Sequence, residues 1–232
     1  MASAPTVTGP ATDQSPFPDR SEAGLRLAEQ LKAIPMVEPL VLAIPRGGLE
    51  VALQVAQVLG AELDVVLARK LRAPDRTELA IGAVNESGDI HLNGNSHLVR
   101  EAGAAWLERE RRLQMTEIAR QQDVFRKVRP KARPRHRTVI VVDDGIATGA
   151  TIVAALRMLR ECGTHELIAA VPVANAEAAG TVRSMCDRFV CLRETPEFWA
   201  VGQFYRRFEQ VSDEQAADLL AAGQRRKPPT SR

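Results

Sequence analysis

Residues 139–151 read Val-Ile-Val-Val-Asp-Asp-Gly-Ile-Ala-Thr-Gly-Ala-Thr, an apolar run that ends in two acids and passes into a loop of small residues. Each part has a chemical use. Carboxylates at the C-terminal end of a buried strand, here Asp143 and Asp144, lie where open α/β sheets present their ligands, and a neighbouring pair can accept hydrogen bonds from the vicinal hydroxyls of a ribose. The next residues, Ala147, Thr148, Gly149, Ala150 and Thr151, offer backbone N–H groups and two hydroxyls at a helix start, a cradle for a phosphate dianion that needs no lysine. Neither GxxxxGK[ST] nor GxGxxG occurs elsewhere in the chain to compete with this segment.

Two other segments could serve the same place. Residues 43–48, Ala-Ile-Pro-Arg-Gly-Gly, follow the first strand-length apolar run and open a helix, so they should face the same crevice as the phosphate loop. Taken alone, the glycine pair also fits a plain turn. Residues 69–78, Arg-Lys-Leu-Arg-Ala-Pro-Asp-Arg-Thr-Glu, follow the second strand; by composition they fit a solvated basic loop as well as an anion clamp. His91, His97, His136 and His165 show neither metal-ligand spacing nor an acid partner and are read as structural or solvent-facing.

These residues need a scaffold, and alternating helical and extended periods supply it. A helix is expected over 21–32, with Leu25, Leu27, Ala28 and Leu31 facing inward, then a strand over 39–44, a helix over 47–58 and a strand over 63–68. After the polar stretch come strands at 79–84 and 89–92 around the turn Asn85-Glu86-Ser87-Gly88, and a long charged helix over 96–123. The run 138–142, four of its five residues valine or isoleucine, predicts a central parallel strand. Helix 149–160, strand 166–173, helix 176–185 and strand 189–192 complete an alternation that implies an α/β fold, a Rossmann-like parallel sheet with helices on both faces.

The 232 residues suit one such domain, placed at 17–222. Residues 1–16, rich in Pro, Ser, Thr and Ala, are expected to form a disordered arm, and 223–232 a disordered tail that begins where Gly223 stops a helix. The formal charge of +2 marks no overall nucleic-acid or membrane binder, yet residues 100–137 hold twelve Lys or Arg against five Asp or Glu. Within them, 126–137 carries seven cations and two prolines but no acid, and is expected to be a solvated loop, with nucleic acid a disfavoured partner. Three cysteines without CxxC spacing argue against disulfides and zinc, and Cys162 and Cys191 are read as small core residues. No charged start precedes an apolar run at the N-terminus and no segment is long and apolar enough to span a bilayer, so a cytoplasmic protein without membrane contact is expected.

Residues 139–151 resemble the signature with which type I phosphoribosyltransferases bind 5-phosphoribosyl 1-pyrophosphate (PRPP). The wider pattern is similar to a bacterial group of such proteins whose acceptor is unassigned: Asp19-Arg20 with Glu22-Ala-Gly24, Arg-Lys-Leu before Glu-Leu-Ala-Ile-Gly-Ala83, and the aromatic stretch 198–208. The resemblance implies the type I fold, with a small hood and a β-hairpin or mobile-loop insertion. It also implies transfer of the phosphoribosyl group to a small nitrogenous acceptor with release of pyrophosphate. By this likeness the 5-phosphate sits on 148–151 beside Ala147, the ribose hydroxyls on Asp143 and Asp144, and the pyrophosphate on Pro45, Arg46, Gly47 and Gly48 with Lys70 from the mobile loop. Arg46 and Lys70 join the two acids as the catalytic set. Mg²⁺ is implied as cofactor, held mainly through PRPP with Asp143 and Asp144 as further ligands, and a homodimer is common in this fold.

Two positions depart from the family pattern. Gly145 replaces an aliphatic residue, and Ala147 stands where hypoxanthine-guanine phosphoribosyltransferases carry an aspartate for the purine, which disfavours a 6-oxopurine acceptor. Ile146, Trp199 and Tyr205 are the candidates for acceptor contacts, although the aromatic stretch fits core packing better. Two rival readings keep the same pocket: a PRPP-sensing regulator that binds nucleic acid through 126–137, and hydrolysis or phosphorolysis of a nucleotide.

Overall fold

A computed structural model describes residues 6–8, 15–74, 76–92 and 96–224. Among these the strands are β1 (Thr6–Thr8), β2 (Leu40–Ala43), β3 (Glu62–Val65), β4 (Ala68–Ala73), β5 (Arg76–Asn85), β6 (Ile90–Leu92), β7 (Thr138–Val142), β8 (Glu166–Asn175) and β9 (Arg188–Thr195). The helices are α1 (Arg20–Leu31), α2 (Gly48–Leu59), α3 (Ser96–Val128), α4 (Ala150–Glu161), α5 (Ala176–Arg183) and α6 (Asp213–Gln224). A parallel sheet runs in the order β1-β9-β8-β7-β2-β3, and β4-β5-β6 form a separate antiparallel ribbon.

Alternation along the buried strands divides the core into two layers. In β7, Ile140 and Val142 pack with Leu27, Val51 and Leu220 of α1, α2 and α6, while Val139 and Val141 pack with Leu156 and Val182 of α4 and α5. All five β7 residues are buried, which is why the run 138–142 carries no polar alternation. Ile118 and Phe125 bring α3 against the α1–α2–α6 side. Helix ends follow local chemistry: Asp19 Oδ1 accepts from the N–H of Glu22 at the start of α1, and Ser212 and Gln215 cap α6 reciprocally.

The predicted alternation is present, with several corrections. The polar stretch after β3 is not a free loop: residues 68–73 form β4, paired to β5, and the register shifts at Leu71–Arg72 and Arg72–Ala73. Asp75 lies outside the described residues, as does most of the expected N-terminal arm; Thr6–Thr8 of that arm pair as β1 with β9. Gly223 lies inside α6 instead of ending it, and 225–232 lie outside the described residues. Helix α3 runs on to Val128, with a break at Gly103 (φ 71°). Leu25 and Cys162 are exposed, whereas Cys186 and Cys191 are buried and their thiols pushed up by burial to about 11 and about 12.

The basic segment is the largest correction. β3 is an edge strand, and 126–137 is strapped along it instead of being free in solvent. Arg126 Nη1 donates to both oxygens of the buried Asp64 (2.8 and 3.1 Å), and the N–H of Ala132 donates to Oδ2 (2.8 Å). Arg129 reaches Glu62 and the Leu63 carbonyl, Arg137 reaches Glu62 and the Glu38 carbonyl, and Lys131 pairs with Glu86. The distant acids were invisible to a reading of the segment's own composition. Their pairing covers an edge that would otherwise offer a template for another strand.

Candidate functional site

The sheet fixes where a ligand goes. From β2 the chain continues to β3 on one side, and from β7 to β8 and β9 on the other, so the strand order reverses between β2 and β7. A crevice opens at the carboxyl ends of strands at such a reversal. Ala43 and Val142 are register partners at that end, and the Ile44 N–H donates to the Val142 carbonyl (2.8 Å). The loops 44–47 and 143–149 therefore leave the sheet side by side, and each runs into a helix N-terminus.

Neither of those N-termini is closed by its own side chains. Gly47 caps α2 and Gly149 caps α4 without a side-chain hydrogen bond. At α2 the Leu49 and Glu50 amides donate to the Arg46 and Gly47 carbonyls (3.1 and 3.2 Å), so the start of α4 is the one that keeps its first-turn amides for an anion. Gly149 adopts φ 74°, the left-handed conformation that glycine takes without a Cβ penalty. Gly47 is required for space: a Cβ there would meet Asp144 Oδ2 at 2.1 Å. The Pro45–Arg46 peptide is cis.

Asp143 and Asp144 stand between the two loops. The Asp144 N–H donates to Asp143 Oδ1 (2.8 Å), Arg20 Nε donates to Asp144 Oδ2 (2.8 Å), and the Tyr205 hydroxyl donates to the Asp144 carbonyl (2.6 Å). Burial and then the charge of Asp144 push the Asp143 carboxyl well above the usual carboxylate range. Burial also raises Asp144, against the opposing charge and hydrogen bond of Arg20. Burial first, and the Asp144 charge second, raise the Tyr205 phenol, so it stays protonated as a donor.

The ribbon carries the third element. Ala68, Ala80 and Ala83 lie against Ala150 and Ala154 of α4, and such small side chains let it approach the phosphate loop closely. α3 holds it from behind: Arg69 Nε donates to Gln114 (2.8 Å), Gln114 Nε2 donates to the buried Glu110 (3.0 Å), and Trp106 Nε1 donates to the Arg72 carbonyl (3.0 Å). Lys70 thereby faces two joined cavities. One of about 550 Å³ is bounded by Arg20, Pro45, Arg46, Gly47, Asp143 and Asp144, and one of about 190 Å³ by residues 143–152 and Val201.

All the sequence-predicted residues for phosphate, sugar and pyrophosphate thus border one cleft, except Gly48, which is buried behind it against Asp143. Of the acceptor candidates, Ile146 borders the smaller cavity, whereas Trp199 and Tyr205 line neither. Ile146 is buried and bonds through its backbone to Val173 and Asn175. Tyr205 is buried and stacked on Phe208, with its hydroxyl spent on Asp144, while Trp199 is 92% exposed. Gly145 has a steric reason, since a Cβ there would come within 2.7 Å of both Val173 and Val201. Sequence reading missed Arg20 and Gln114 as cleft-lining residues. Arg20 had left a signal: a cation at a helix N-terminus opposes the helix dipole and calls for a specific partner.

Among the described residues no group of three or more His, Cys, Asp or Glu is placed to hold a metal, and no helix is long and apolar enough to cross a membrane. The chain is 39% identical over 204 residues to two Mycobacterium tuberculosis proteins named "Putative phosphoribosyl transferase", Rv0571c (strain H37Rv) and MT0597 (strain CDC 1551). The match covers 88% of this chain and 46% of theirs, so the chain spans about half the length of these curated relatives. The crystal structure of TT1426 from Thermus thermophilus superposes with a TM-score of 0.76 at 42% identity, over 89% of this chain and 98% of that one. Residues 23–209, which include both helix-capped loops and the acid pair, match the phosphoribosyl transferase domain, and the chain belongs to that family.

Proposed function

We propose that this protein is a phosphoribosyltransferase that transfers the 5-phosphoribosyl group of PRPP to a small nitrogenous acceptor. One observation carries the reading: two uncapped helix N-termini, an acid pair and Lys70 converge on one cleft at the reversal of strand order. The smaller cavity suits the 5-phosphate on the amides and hydroxyls of 147–151, and Asp143 and Asp144 suit the ribose hydroxyls. The larger cavity, with Arg46, Lys70 and the start of α2, suits pyrophosphate.

In the reaction the C1–O bond to pyrophosphate breaks, a C–N bond to the acceptor forms, and the acceptor nitrogen gives its proton to solvent. The sugar gains oxocarbenium character as this happens, so the residues that stabilise departing pyrophosphate contribute most, and positioning of the acceptor comes second. Mg²⁺ fits as a substrate-borne ion: two neighbouring acids, with no third acid, His or Cys grouped with them among the described residues, suit a cation that keeps most of its coordination on phosphates and water. When bound it would neutralise pyrophosphate charge, with Asp143 and Asp144 beside it. Trp199 is the exposed aromatic left to cover an acceptor, while Ile146 and Tyr205 support the site from beneath. A 6-oxopurine is disfavoured because Ala147 offers no carboxylate. The regulator reading loses its main support, since Arg126, Arg129, Lys131 and Arg137 are held by internal acids.

Calorimetric titration with PRPP, with and without Mg²⁺, followed by a pyrophosphate-release screen over purines, pyrimidines and small amines or amides, tests the proposal. Magnesium-dependent binding with release for one acceptor class is expected. Binding without release would favour a sensor, release of ribose 5-phosphate from a nucleotide would favour hydrolysis, and no binding would refute PRPP as the ligand.

A further inference from the structure

Arg20 is the first residue of α1, where a cation meets the positive end of the helix dipole, and its side chain is only 6% exposed. Both features are unfavourable unless specific partners offset them. Its guanidinium has such partners on every side. Nε donates to Asp144 Oδ2 (2.8 Å) and Nη1 donates to the backbone carbonyl of Glu209 (2.8 Å). The ring of Phe208 lies 3.8 Å from its central carbon, and Glu50 Oε2 lies 4.0 Å from Nη1. The missing Cβ of Gly47 makes the room, because a methyl there would sit 2.9 Å from Arg20 Nε.

We infer that Arg20 is a positioning residue, which clamps Asp144 in the orientation that receives the sugar and ties that acid to the 205–210 wall of the cleft. The inference rests on the proposed PRPP site. Arg20 takes Oδ2 of Asp144, an acid that borders the cleft. The Tyr205 hydroxyl holds the Asp144 carbonyl from the opposite side, so the acid is gripped through both backbone and side chain. A planar fork is needed, since Nε and Nη1 must serve a carboxylate and a carbonyl at once; a lysine ammonium has the charge without that geometry. The same fork makes the placement of Asp144 depend on residues 205–210, whose Tyr205, Phe208 and Glu209 all touch this cluster. The role differs from that of Arg46 and Lys70, which are exposed and form no ion pair within 4 Å among the described residues.

The test is a double-variant cycle read by calorimetric titration of the full chain with Mg²⁺-PRPP: wild type, Arg20→Gln, Asp144→Asn and the two combined, with thermal unfolding of each. Arg20→Gln should weaken PRPP about 10- to 100-fold, the range for a lost hydrogen bond to a charged group. If Arg20 acts through Asp144, the combined variant should bind no more weakly than Asp144→Asn alone. Arg20→Lys, expected to fold, should fall between wild type and Arg20→Gln, and it serves the cycle if the glutamine variant does not fold. Two results would overturn the inference while leaving the PRPP site intact. One is wild-type affinity in Arg20→Gln; the other is a combined loss equal to the product of the single losses, which would place Arg20 on the ligand itself. A wild-type chain that fails to bind PRPP would remove the site and this inference together.

Discussion

Two cation-rich stretches that look alike in the sequence end in opposite situations. In 126–137, Arg126, Arg129, Lys131 and Arg137 are each held by an acid from another element, Asp64, Glu62, Glu86 and Glu62 respectively. Around the cleft, Arg46, Lys70 and Arg72 are exposed and have no ion-pair partner among the described residues. The difference lies in where the acids fall. Glu62 and Asp64 lie on edge strand β3 beneath the strap, whereas of the two acids that border the cleft Asp144 is taken by Arg20 and Asp143 accepts from the Asp144 N–H. A basic run therefore becomes a structural clamp or an anion site according to residues far from it in sequence.

The comparison predicts that changes in the cleft cost function without fold, and changes under the strap cost fold without function. The largest effect should come from Asp143→Asn combined with Asp144→Asn. Loss of both acceptors should lower kcat/KM in pyrophosphate release by at least about 10³-fold, or about 4 kcal/mol. Thermal stability should change little, because relief of the buried Asp143 carboxyl, whose protonation Asp144 pushes upward, offsets the weaker partner left for Arg20. Lys70→Ala should follow with about 10²-fold. A large drop in unfolding temperature for either would erase the distinction between the regions.

Asp64→Ala is the converse. Asp64 is 1% exposed and accepts from Arg126, from the Ala132 N–H and from the Val65 N–H, so its loss leaves a half-buried guanidinium without its anion. Chemical denaturation should show a loss of about 3 kcal/mol, at the lower end for a broken buried pair. PRPP affinity of the folded fraction should match wild type, and a weaker affinity would mean that the strap shapes the cleft.

How legible each region was depends on how local its cause is. The β7–loop–α4 segment was readable because strand, acids, αL glycine and helix start are contiguous, so 138–142 matches β7 to the residue. The ribbon was half readable. The turn at 85–88 followed from its residues, but β4 looked like a polar loop because Arg69 is stabilised by Gln114 and the backbone of Arg72 by Glu110 and Trp106, all on α3. Arg20 and the strap were the least readable, since their meaning comes from Asp144, Glu209, Glu62 and Asp64 at long range. Tyr205 shows the same limit from the other side, because an aromatic near the site reads as a stacking surface until its hydroxyl is found on the Asp144 carbonyl.

The pH dependence of stability sharpens the comparison further. Burial alone would raise the Glu62 carboxyl, but hydrogen bonds from Arg137 and Arg129 outweigh it and hold the group below its usual range. A group with a depressed folded-state pKa stabilises above its unfolded value and loses that contribution as the pH falls through its folded value. Stability from the strap should therefore be full at neutral pH and fade on the acid side of the ordinary glutamate range. Glu62→Gln should flatten that acid limb in denaturation curves. The difference at neutral pH should be only about 0.5 kcal/mol, because the side chain is 37% exposed and water screens it.

The smallest effect belongs to the cations of the strap that no acid claims. Arg133 and Arg135 are exposed and, like Lys127, form no ion pair among the described residues. Changing both to Gln should shift stability by less than about 0.5 kcal/mol, as for surface positions without a structural role. PRPP titration should be unchanged as well. These two positions also give the sharpest remaining test of a nucleic-acid face, because any phosphate contact from the strap must come mainly from cations not already paired. If the segment served that purpose, wild type would shift short RNA or DNA in a salt-dependent manner, and the double variant would lose much of the shift and part of the salt slope. The pairing pattern predicts no such difference. A clear one would show that the strap, although clamped to β3 by three of its cations and to Glu86 by a fourth, offers the others to a polyanion.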